Sequence, residues 1–392
     1  MTLDTPPTYS IRRAIAVGGG GLAVCMLPVF LTGALAVQLT EDLQFGSAGL
    51  GLAIATHRLA SAPASIVGGR LADRLGASRS LRVAALIAAA ACLGIALFAH
   101  DLVTLAAWMA IAGLSLALAE PAANRLLVNV VPPQRLGTAF GVKQSATPAA
   151  TMLAGLSVPL LALTLGWRVA FGLAAAACLA VLAGVGRVPR SPKKGKVAPR
   201  IRLNDPVTIV LLSTAMGFNT ATSSTVPAFY VTSAVSAGTA VTKAGTILAA
   251  ASIATIAVRM MAGAVADRMK DRHLRLSIAG QLAGLIGLGL LATLRPSLMG
   301  IGAVIALAGT WGFHGVFWFA MVRAYPRTPG AITGAVAPGA LLGGVVGPLL
   351  FGMVAAGYGY RTGWLLSAGL ALGAAAATQL GLRRLLGHPN GG

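Results

Sequence analysis

The sequence predicts an all-α membrane protein in which twelve membrane-spanning helices form two pseudo-symmetric six-helix bundles. Its 392 residues are 56% hydrophobic and only 10% charged, and the mean hydropathy is +0.82. A soluble domain carries about 25% charged residues, so this chain cannot cover a water-facing surface. Apolar runs of about 20 residues, long enough to cross a hydrocarbon core of about 30 Å, recur along it. A short polar motif also appears twice, half a chain length apart.

Six predicted spans lie in each half of the chain. In the first half they cover residues 14–38, 47–69, 80–99, 102–124, 137–164 and 167–187. In the second half they cover residues 206–232, 242–266, 274–294, 297–323, 330–356 and 362–383. The first run follows Arg12 and Arg13 and contains Ala34-Leu35-Ala36, which resembles a signal-peptide cleavage site. Because the run exceeds the h-region length of about 7 to 15 residues, we expect it to be the first helix.

Three sequence landmarks repeat between the halves. Residues 69–76 (GRLADRLG) after the second span are echoed by residues 263–269 (GAVADRM) after the eighth. Gly-Trp-Arg at 166–168 opens the sixth span, and Gly-Tyr-Arg at 359–361 opens the twelfth. A pair of glycines in the fifth span also recurs in the eleventh. The repeats predict an N-terminal bundle over residues 1–187 and a C-terminal bundle over 205–392.

The segment between the bundles, residues 188–204, is predicted to be a cytoplasmic linker. Together with Arg187 it carries seven cations, three prolines and no acid, a composition typical of a solvated, extended connector.

The net charge of +21 is concentrated in alternate loops. The basic segments are the two termini and the loops after the even-numbered spans. The remaining loops hold only four cations, Arg168, Lys243, Arg295 and Arg361. Such an asymmetry predicts that the basic loops and both termini are cytoplasmic. It favours a multi-pass membrane protein whose basic loops touch anionic lipids, rather than a nucleic-acid-binding protein.

No catalytic or metal-binding motif is found in the sequence. It has no Gly-rich phosphate loop, no His-Glu-x-x-His, no paired-cysteine motif and no acid cluster able to hold Mg²⁺. The three cysteines, Cys25, Cys92 and Cys178, all lie inside apolar spans and are interpreted as packing residues. We therefore expect a protein that is not an enzyme, needs no cofactor or metal, and acts as a monomer.

Residues 69–76 resemble the signature loop of the major facilitator superfamily. The aromatic-Arg pairs opening spans six and twelve, Pro121-Ala122 late in span four, and residues 141–145 (GVKQS) add to the resemblance. It implies a transporter with two six-helix bundles and poorly defined substrate. Two features depart from proton-coupled drug antiporters of the superfamily: Met109 occupies the place of an expected Arg in span four, and Val158 rather than Gly precedes Pro159.

The resemblance also implies a conformational latch in the signature loop and its repeat. Asp73 would face the positive end of a neighbouring helix, such as one beginning near Gly330, and the contact would break as the halves rock. A solvated surface turn is the alternative, because exposed pairs contribute little. The predicted latch residues are Gly69, Asp73, Arg74, Gly76, Asp267 and Arg268.

Ionisable side chains within the predicted spans are the candidates for function. A cation at mid-bilayer costs about 2.5 to 3.5 kcal/mol on insertion scales, so each needs water, a partner or a ligand. Arg58, Lys143 and Arg259 outnumber the single acid Glu120, and this excess predicts an anionic substrate. Arg58 is the strongest candidate; its alternative is a pair with Glu120 or with helix carbonyls. For Lys143 and Arg259, the alternative to binding substrate is that the side chain snorkels to the cytoplasmic surface.

Further polar and aromatic residues are predicted to line the binding cavity. Lys143 heads a stripe with Thr147 and Thr151. Packing within the bundle is the alternative for two other groups. These are Trp311, His314 and Trp318 on span ten, and Asn219, Thr220, Thr222 and Ser223 in the polar middle of span seven.

Glu120 is the default proton carrier if transport is proton-coupled, with His314 as the second candidate. A structural ion pair near Asn124 and Arg125 is the alternative for Glu120. The sequence thus predicts a secondary transporter, symporter or antiporter, for a small organic or inorganic anion. Proton-coupled efflux of hydrophobic or cationic compounds is the alternative function, and a sensor without flux is a third.

Overall fold

The computed structural model describes residues 10–132, 135–186, 205–268, 273–325 and 329–387. All regular elements in these ranges are helices. The linker predicted at 188–204 lies outside them, so the bundle boundaries stay predictions.

The first half contributes six long helices, two of them interrupted. Helix α1 is Ile11–Ala34, continued by a short helix at Ala36–Asp42. Helix α5 has three consecutive parts, an α-helix to Gln144, a second α-helix and a closing π-turn. The bounds are α2 Ser47–Leu75, α3 Ala77–Phe98, α4 Leu102–Val130, α5 Leu136–Gln144, Ala146–Ser157 and Val158–Ala162, and α6 Trp167–Gly184.

The second half repeats this arrangement. Helix α10 is broken at Phe313, and one long helix of 59 residues contains both α11 and α12, separated at Gly359. The bounds are α7 Pro206–Ser236, α8 Val241–Arg268, α9 His273–Ala292, α10 Pro296–Gly312 and His314–Ala324, α11 329–358 and α12 360–387.

Twelve helices therefore cross the membrane within the described ranges, which confirms the predicted fold class. Ten stretches are long and apolar enough to span, and one of them, Ile332–Leu386, holds both α11 and α12. The twelfth helix is α7, whose 31 residues include a polar middle. Several helices, including α2 and α4, extend past the predicted spans because their polar ends continue beyond the hydrocarbon core.

The predicted repeat is visible in the backbone at the start of α6 and α12. Gly166 has φ +86° and ψ 157°, and Gly359, at the matching position, has φ +81° and ψ 164°. A residue with a Cβ is strained at such a positive φ, so glycine is needed for a turn this tight. The two halves thus use the same device to enter their last helix.

The loops define two ends of the molecule. The end that carries Gly76, Arg125 and Val185 is called the basic end, and the end that carries Asp42, Asp101 and Gly359 is called the opposite end. At the opposite end Asp101 caps α4, and the hydrogen bonds that it accepts from the Thr104 backbone and side chain lower its pKa below the ordinary value.

The two halves pack tightly near the opposite end. A Cβ placed on Gly51 of α2 would lie 3.3 Å from the Cα of Gly352 in α11 and would collide with the carbonyl of Pro348. On the other side of the molecule, a Cβ on Gly155 of α5 would lie 2.7 Å from the carbonyl oxygen of Gly245 in α8. These backbone-to-backbone contacts, made possible by small residues, close the opposite end.

The halves separate towards the basic end. Gly141 of α5 and Gly263 of α8 have no heavy atom within 4 Å of their Cβ positions. A cavity of about 210 Å³ opens on the same side between α2, α4 and α11. The structure is therefore closed at the opposite end and open at the basic end.

Candidate functional site

Arg58 lies near the middle of α2, at the junction of two cavities between the halves. The larger, of about 210 Å³, leads towards the basic end and is lined by Arg58, Ser61, Ser65, Leu116, Ala117, Glu120, Pro121, Asn124 and Leu341. The smaller, of about 20 Å³, can hold about one water and is lined by Val29, Phe30, Ile54, Arg58, Ser224, Pro227, Ala228, Trp311 and Gly344. Residues from both halves thus surround Arg58.

The Arg58 side chain has no hydrogen bond, and no ion pair within 4 Å, among the described residues. Its charge interacts at longer range with that of Glu120, which lines the same cavity. Its aliphatic stem packs against α11, where the Arg58 Cδ lies 3.7 Å from the Cβ position of Gly344. Its neighbour His57 is fully buried in the first half, against the α4 backbone at Gly113. Of this adjacent pair, only Arg58 faces the cavities.

Glu120 pairs with Lys143 rather than with Arg58 or Arg125. The Lys143 Nζ lies 3.7 Å from the Glu120 Oε1 and donates a hydrogen bond of 2.7 Å to the Asn124 Oδ1. The Lys143 side chain is 1% exposed, whereas that of Glu120 is 47% exposed and lines the larger cavity. Lys143 therefore contributes a buried positive charge behind Glu120, neither facing the cavity directly nor reaching the surface.

The predicted stripe below Lys143 continues along α5 without forming part of either cavity lining. The Thr151 hydroxyl donates to the carbonyl of Thr147 in the same helix, at 3.2 Å. Thr151 is fully buried and Thr147 is half-buried. These contacts lie within α5, so the substrate-binding role of Thr147 stays a prediction.

Arg259 of α8 is held by two backbone carbonyls. Its Nη1 donates to the Gln144 oxygen of α5 at 2.6 Å, and its Nη2 donates to the Trp311 oxygen of α10 at 2.9 Å. The Arg259 side chain therefore does not snorkel to the surface in this structure. In this state each terminal nitrogen has one carbonyl acceptor, whereas the buried Arg259 Nε has no hydrogen-bond partner among the described residues.

The polar residues in the middle of α7 divide between packing contacts and the region of the smaller cavity. Asn219 is buried and lies 3.4 Å from the Thr310 carbonyl, and Ser223 is fully buried and donates to the Thr220 carbonyl of its own helix. Thr220 lies next to Gly344, and Ser224 lines the smaller cavity. Thr220 belongs to the predicted polar group, whereas Ser224 does not. The spacing of four residues that places Ser224 on the same helix face as Thr220 is the signal that would have identified it.

The aromatic group on α10 is divided by the break at Phe313. Trp311 lines the smaller cavity and packs edge-on against Phe30 of α1, with ring centroids 5.7 Å apart. His314 lies 3.3 Å from the Asn219 amide nitrogen, and Trp318 packs beside a hydrophobic cluster of the second half. The three side chains do not form the single cavity face that unbroken helical spacing predicts.

The predicted latch residues lie at the basic end. Asp73 forms an ion pair with Arg125 of α4, and its side chain is 74% exposed. Gly69 and Arg74 lie in the last turns of α2, Gly76 turns the chain into α3 with φ +82°, and Arg268 ends α8. The side chain of Asp267 and the surroundings of Gly330 lie outside the described residues. In this state Asp73 thus contacts its own half.

Two comparisons of sequence identify relatives. The sequence model of the Major Facilitator Superfamily matches residues 17–338. The chain is also 29% identical over 375 residues to the "Probable nitrate/nitrite transporter NarK2" of Mycobacterium tuberculosis, covering 90% of this chain and 92% of that protein. The same identity and coverage hold for the copies from two strains of that organism.

Solved structures share the fold over nearly the whole chain. An inward-facing, unoccupied bacterial homologue of the human lysosomal transporter Spinster matches with a TM-score of 0.75 at 15% identity, covering 97% of this chain and 98% of that one. A D-xylose-proton symporter matches with a TM-score of 0.77 at 16% identity, covering 94% and 96%. With the matched sequence model and the twelve-helix fold, these results show that the chain belongs to the major facilitator superfamily.

Proposed function

We propose that the protein is a secondary transporter that carries a small inorganic anion between its two halves by alternating access. The observation that carries the proposal is the Arg58 guanidinium, which lies in mid-membrane without a hydrogen bond or close ion pair among the described residues and faces cavities lined by both halves. The fold supplies the two rocking bundles, and their interface at mid-membrane is where such transporters bind substrate.

The charge balance around Arg58 supports an anion. Arg58 and Glu120 line the larger cavity and Lys143 lies buried behind Glu120, so the three groups together keep one excess positive charge. A guanidinium in the membrane is tolerated when water or a ligand reaches it, and its planar fork matches the two oxygens of a planar oxyanion. Because the relative from M. tuberculosis is named as a nitrate/nitrite transporter, nitrate and nitrite are the anions we propose first.

Proton coupling is proposed through Glu120. Its carboxylate lines the same cavity as Arg58, so an anion bound there disfavours the charged carboxylate and promotes its protonation. His314 is less suited to this role, since it contacts Asn219 within the second half. The alternative of cation efflux is less well supported, because Glu120 already pairs with Lys143 and Arg58 is the lining residue without a close ion pair among the described residues.

The positive-inside rule supports a cytoplasmic location for the basic end. We therefore propose that the protein lies in the bacterial inner membrane with both termini in the cytoplasm. In that orientation the open cavity faces inwards. We also propose that one bundle covers residues 1–187 and the other residues 205–392, and that a basic cytoplasmic linker joins them. The transporter is proposed to act as a monomer.

Ligand-induced thermal stabilisation of the purified protein tests the anion proposal. We expect nitrate and nitrite to raise the unfolding temperature, and sugars and lipophilic cations to leave it unchanged. Arg58→Ala should abolish this rise, whereas Arg58→Lys should keep a reduced one because it retains the charge but loses the fork. Arg295→Ala, a surface change at the opposite end, is the control and should respond as the wild type does. Stabilisation by lipophilic cations that persists in Arg58→Ala would reject the proposal.

A further inference from the structure

Arg259 joins three helices from both halves at the level of the central cavities. It stands on α8 of the second half and donates to Gln144 of α5 in the first half, at 2.6 Å, and to Trp311 of α10, at 2.9 Å. Trp311 in turn lines the smaller cavity beside Arg58. One guanidinium thus connects the interface between the halves to the wall of the proposed binding site.

The Gln144 carbonyl needs this donor because of the local sequence. In a regular helix the carbonyl of residue 144 accepts from the backbone N–H of residue 148, but that residue is Pro148, which has no N–H. An unsatisfied carbonyl at membrane depth costs several kcal/mol, so it must find another donor. The Arg259 Nη1 is the donor present in this structure.

The second carbonyl also lies at a helix break. Trp311 is in the last turn of the first segment of α10, which ends at Gly312 before the break at Phe313. At this helix end the Trp311 carbonyl accepts from the Phe313 backbone N–H and also from Arg259. Gly312 allows α10 to approach α8, since a Cβ there would lie 2.7 Å from the Val258 Cγ1. The break in α10 therefore packs against α8, the helix that carries Arg259.

The bond to Gln144 lies at the edge of the contact between α5 and α8. Towards the opposite end, Gly155 and Gly245 bring the two backbones into contact. About one turn from the bond towards the basic end, Gly141 and Gly263 have nothing within 4 Å of their Cβ positions. The hydrogen bond thus spans the halves where close packing ends and the opening begins, so rocking of the halves changes its length.

We propose that Arg259 is a positioning residue that stabilises the state open at the basic end, by tying the proline-freed carbonyl of Gln144 to the break of α10 at Trp311. The inference rests on the alternating access of the proposed function. Motion that closes the basic end has to break the tie to Gln144, and the same guanidinium transmits that motion to Trp311 in the cavity wall.

Spin-label distances measured without any anion test this proposal. In a background with Cys25, Cys92 and Cys178 replaced by alanine, labels at Thr138 and Ala264 report the basic end, since both positions are exposed and lie on α5 and α8. Labels at Gly46 and Gly357 report the opposite end, where both Cβ positions are free of neighbours. The population ratio of closed to open basic end is the quantity compared.

Arg259→Gln should raise this closed-to-open ratio about tenfold, the effect of losing one charge-assisted hydrogen bond that exists in one state only. Arg259→Lys should give a smaller rise, because a single nitrogen reaches only one of the two carbonyls. The matched control is Arg168→Gln. Arg168 also donates to two carbonyls, those of Ala96 and Ala99 at 2.9 Å each, but both belong to its own half, so the ratio should not change.

Pro148→Ala tests the same tie without altering Arg259. It returns an N–H to residue 148, which then satisfies Gln144 within α5 in both states. We expect a raised ratio in Pro148→Ala, and a much smaller effect of Arg259→Gln in that background than in the wild type. Unchanged ratios in both single variants, or an equal effect of Arg259→Gln in both backgrounds, would overturn the proposal.

The outcome separates this inference from the proposed function. A shifted ratio in a protein that nitrate and nitrite do not stabilise would contradict the anion proposal and leave the tie in place. Stabilisation by those anions through Arg58, with no shift in the Arg259 and Pro148 variants, would contradict the tie alone.

Discussion

Three buried or half-buried basic side chains at the level of the cavities have different partners, and these partners decide what each can do. Arg58 faces the cavities without a close partner among the described residues, Lys143 is covered by Glu120 and Asn124, and Arg259 is bound to two carbonyls. Of the three, only Arg58 lines a cavity without a hydrogen bond or close ion pair among the described residues. The exposed carboxylate of Glu120 is available to a proton.

The Glu120–Lys143 pair should respond asymmetrically to substitution. Glu120→Gln leaves a buried ammonium without its carboxylate and should lower the free energy of unfolding by about 1–3 kcal/mol. Lys143→Met leaves a carboxylate that is partly exposed and should cost less. The double variant should be more stable than Glu120→Gln alone, because the buried charge is then gone. Thermal unfolding in detergent measures all three, and equal losses in the two single variants would contradict this assignment.

The sequence predicts which residues are unusual more readily than it predicts their partners. The position of Arg58 within an apolar span is visible from the sequence, and helical geometry predicts that only one of His57 and Arg58 faces inwards. The partners of Arg259 could not be predicted, since they are backbone carbonyls of two other helices. Any residue has a carbonyl, so no residue type signals such a contact.

Helix breaks explain why some helix faces differ from those predicted. Unbroken spacing places Trp311, His314 and Trp318 on one face, but the break at Phe313 separates Trp311 from the other two. On α7 no break occurs, and the polar face is instead set by packing: Asn219 is used to join α7 to α10, which leaves Ser224 for the cavity. The number and order of the spans, by contrast, are predicted from hydropathy, although α2 and α4 extend past their predicted ends.

The contact between α2 and α11 at Gly51 should control closure of the opposite end. Gly51→Val places a branched side chain against the Pro348 carbonyl and the Gly352 Cα, and overpacking of this kind costs about 1–3 kcal/mol. Because the contact exists only when the opposite end is closed, we expect the labels at Gly46 and Gly357 to move apart.

Gly172→Val on α6 is the control for this change, since no atom lies within 4 Å of its Cβ position. It should leave the distance between the labels unchanged. The assignment of Gly51 to closure would fail if Gly51→Val lowered thermal stability while the label distances stayed those of the wild type.

At the scale of the whole molecule, the two halves share an architecture and differ in chemistry. Gly166 and Gly359 open matching helices with the same backbone conformation. Yet Arg58, which has no hydrogen bond or close ion pair in the part of the chain that the structure describes, is on α2. The arginine on the corresponding α8, Arg259, lies nearer the basic end and binds carbonyls. Because the sequence repeats, the fold of one half predicts the fold of the other. It does not predict the site, because the site arises from the differences between them.

Closure at the opposite end and separation at the basic end are also properties of the whole molecule. They depend on contacts such as Gly155 with Gly245, which join residues far apart in sequence. The glycine stripes on individual helices are visible in the sequence. Which state of the transport cycle they stabilise is a property of the assembled halves.

The central claim, that Arg58 binds the transported anion, is tested most directly by uptake of labelled nitrate into proteoliposomes, with and without a pH gradient. Nitrate uptake should be saturable in the wild type, weaker in Arg58→Lys and absent in Arg58→Ala, while Arg295→Ala transports normally. Glu120→Gln should transport nitrate without responding to the pH gradient. Wild-type rates of nitrate uptake in folded Arg58→Ala protein would contradict the account.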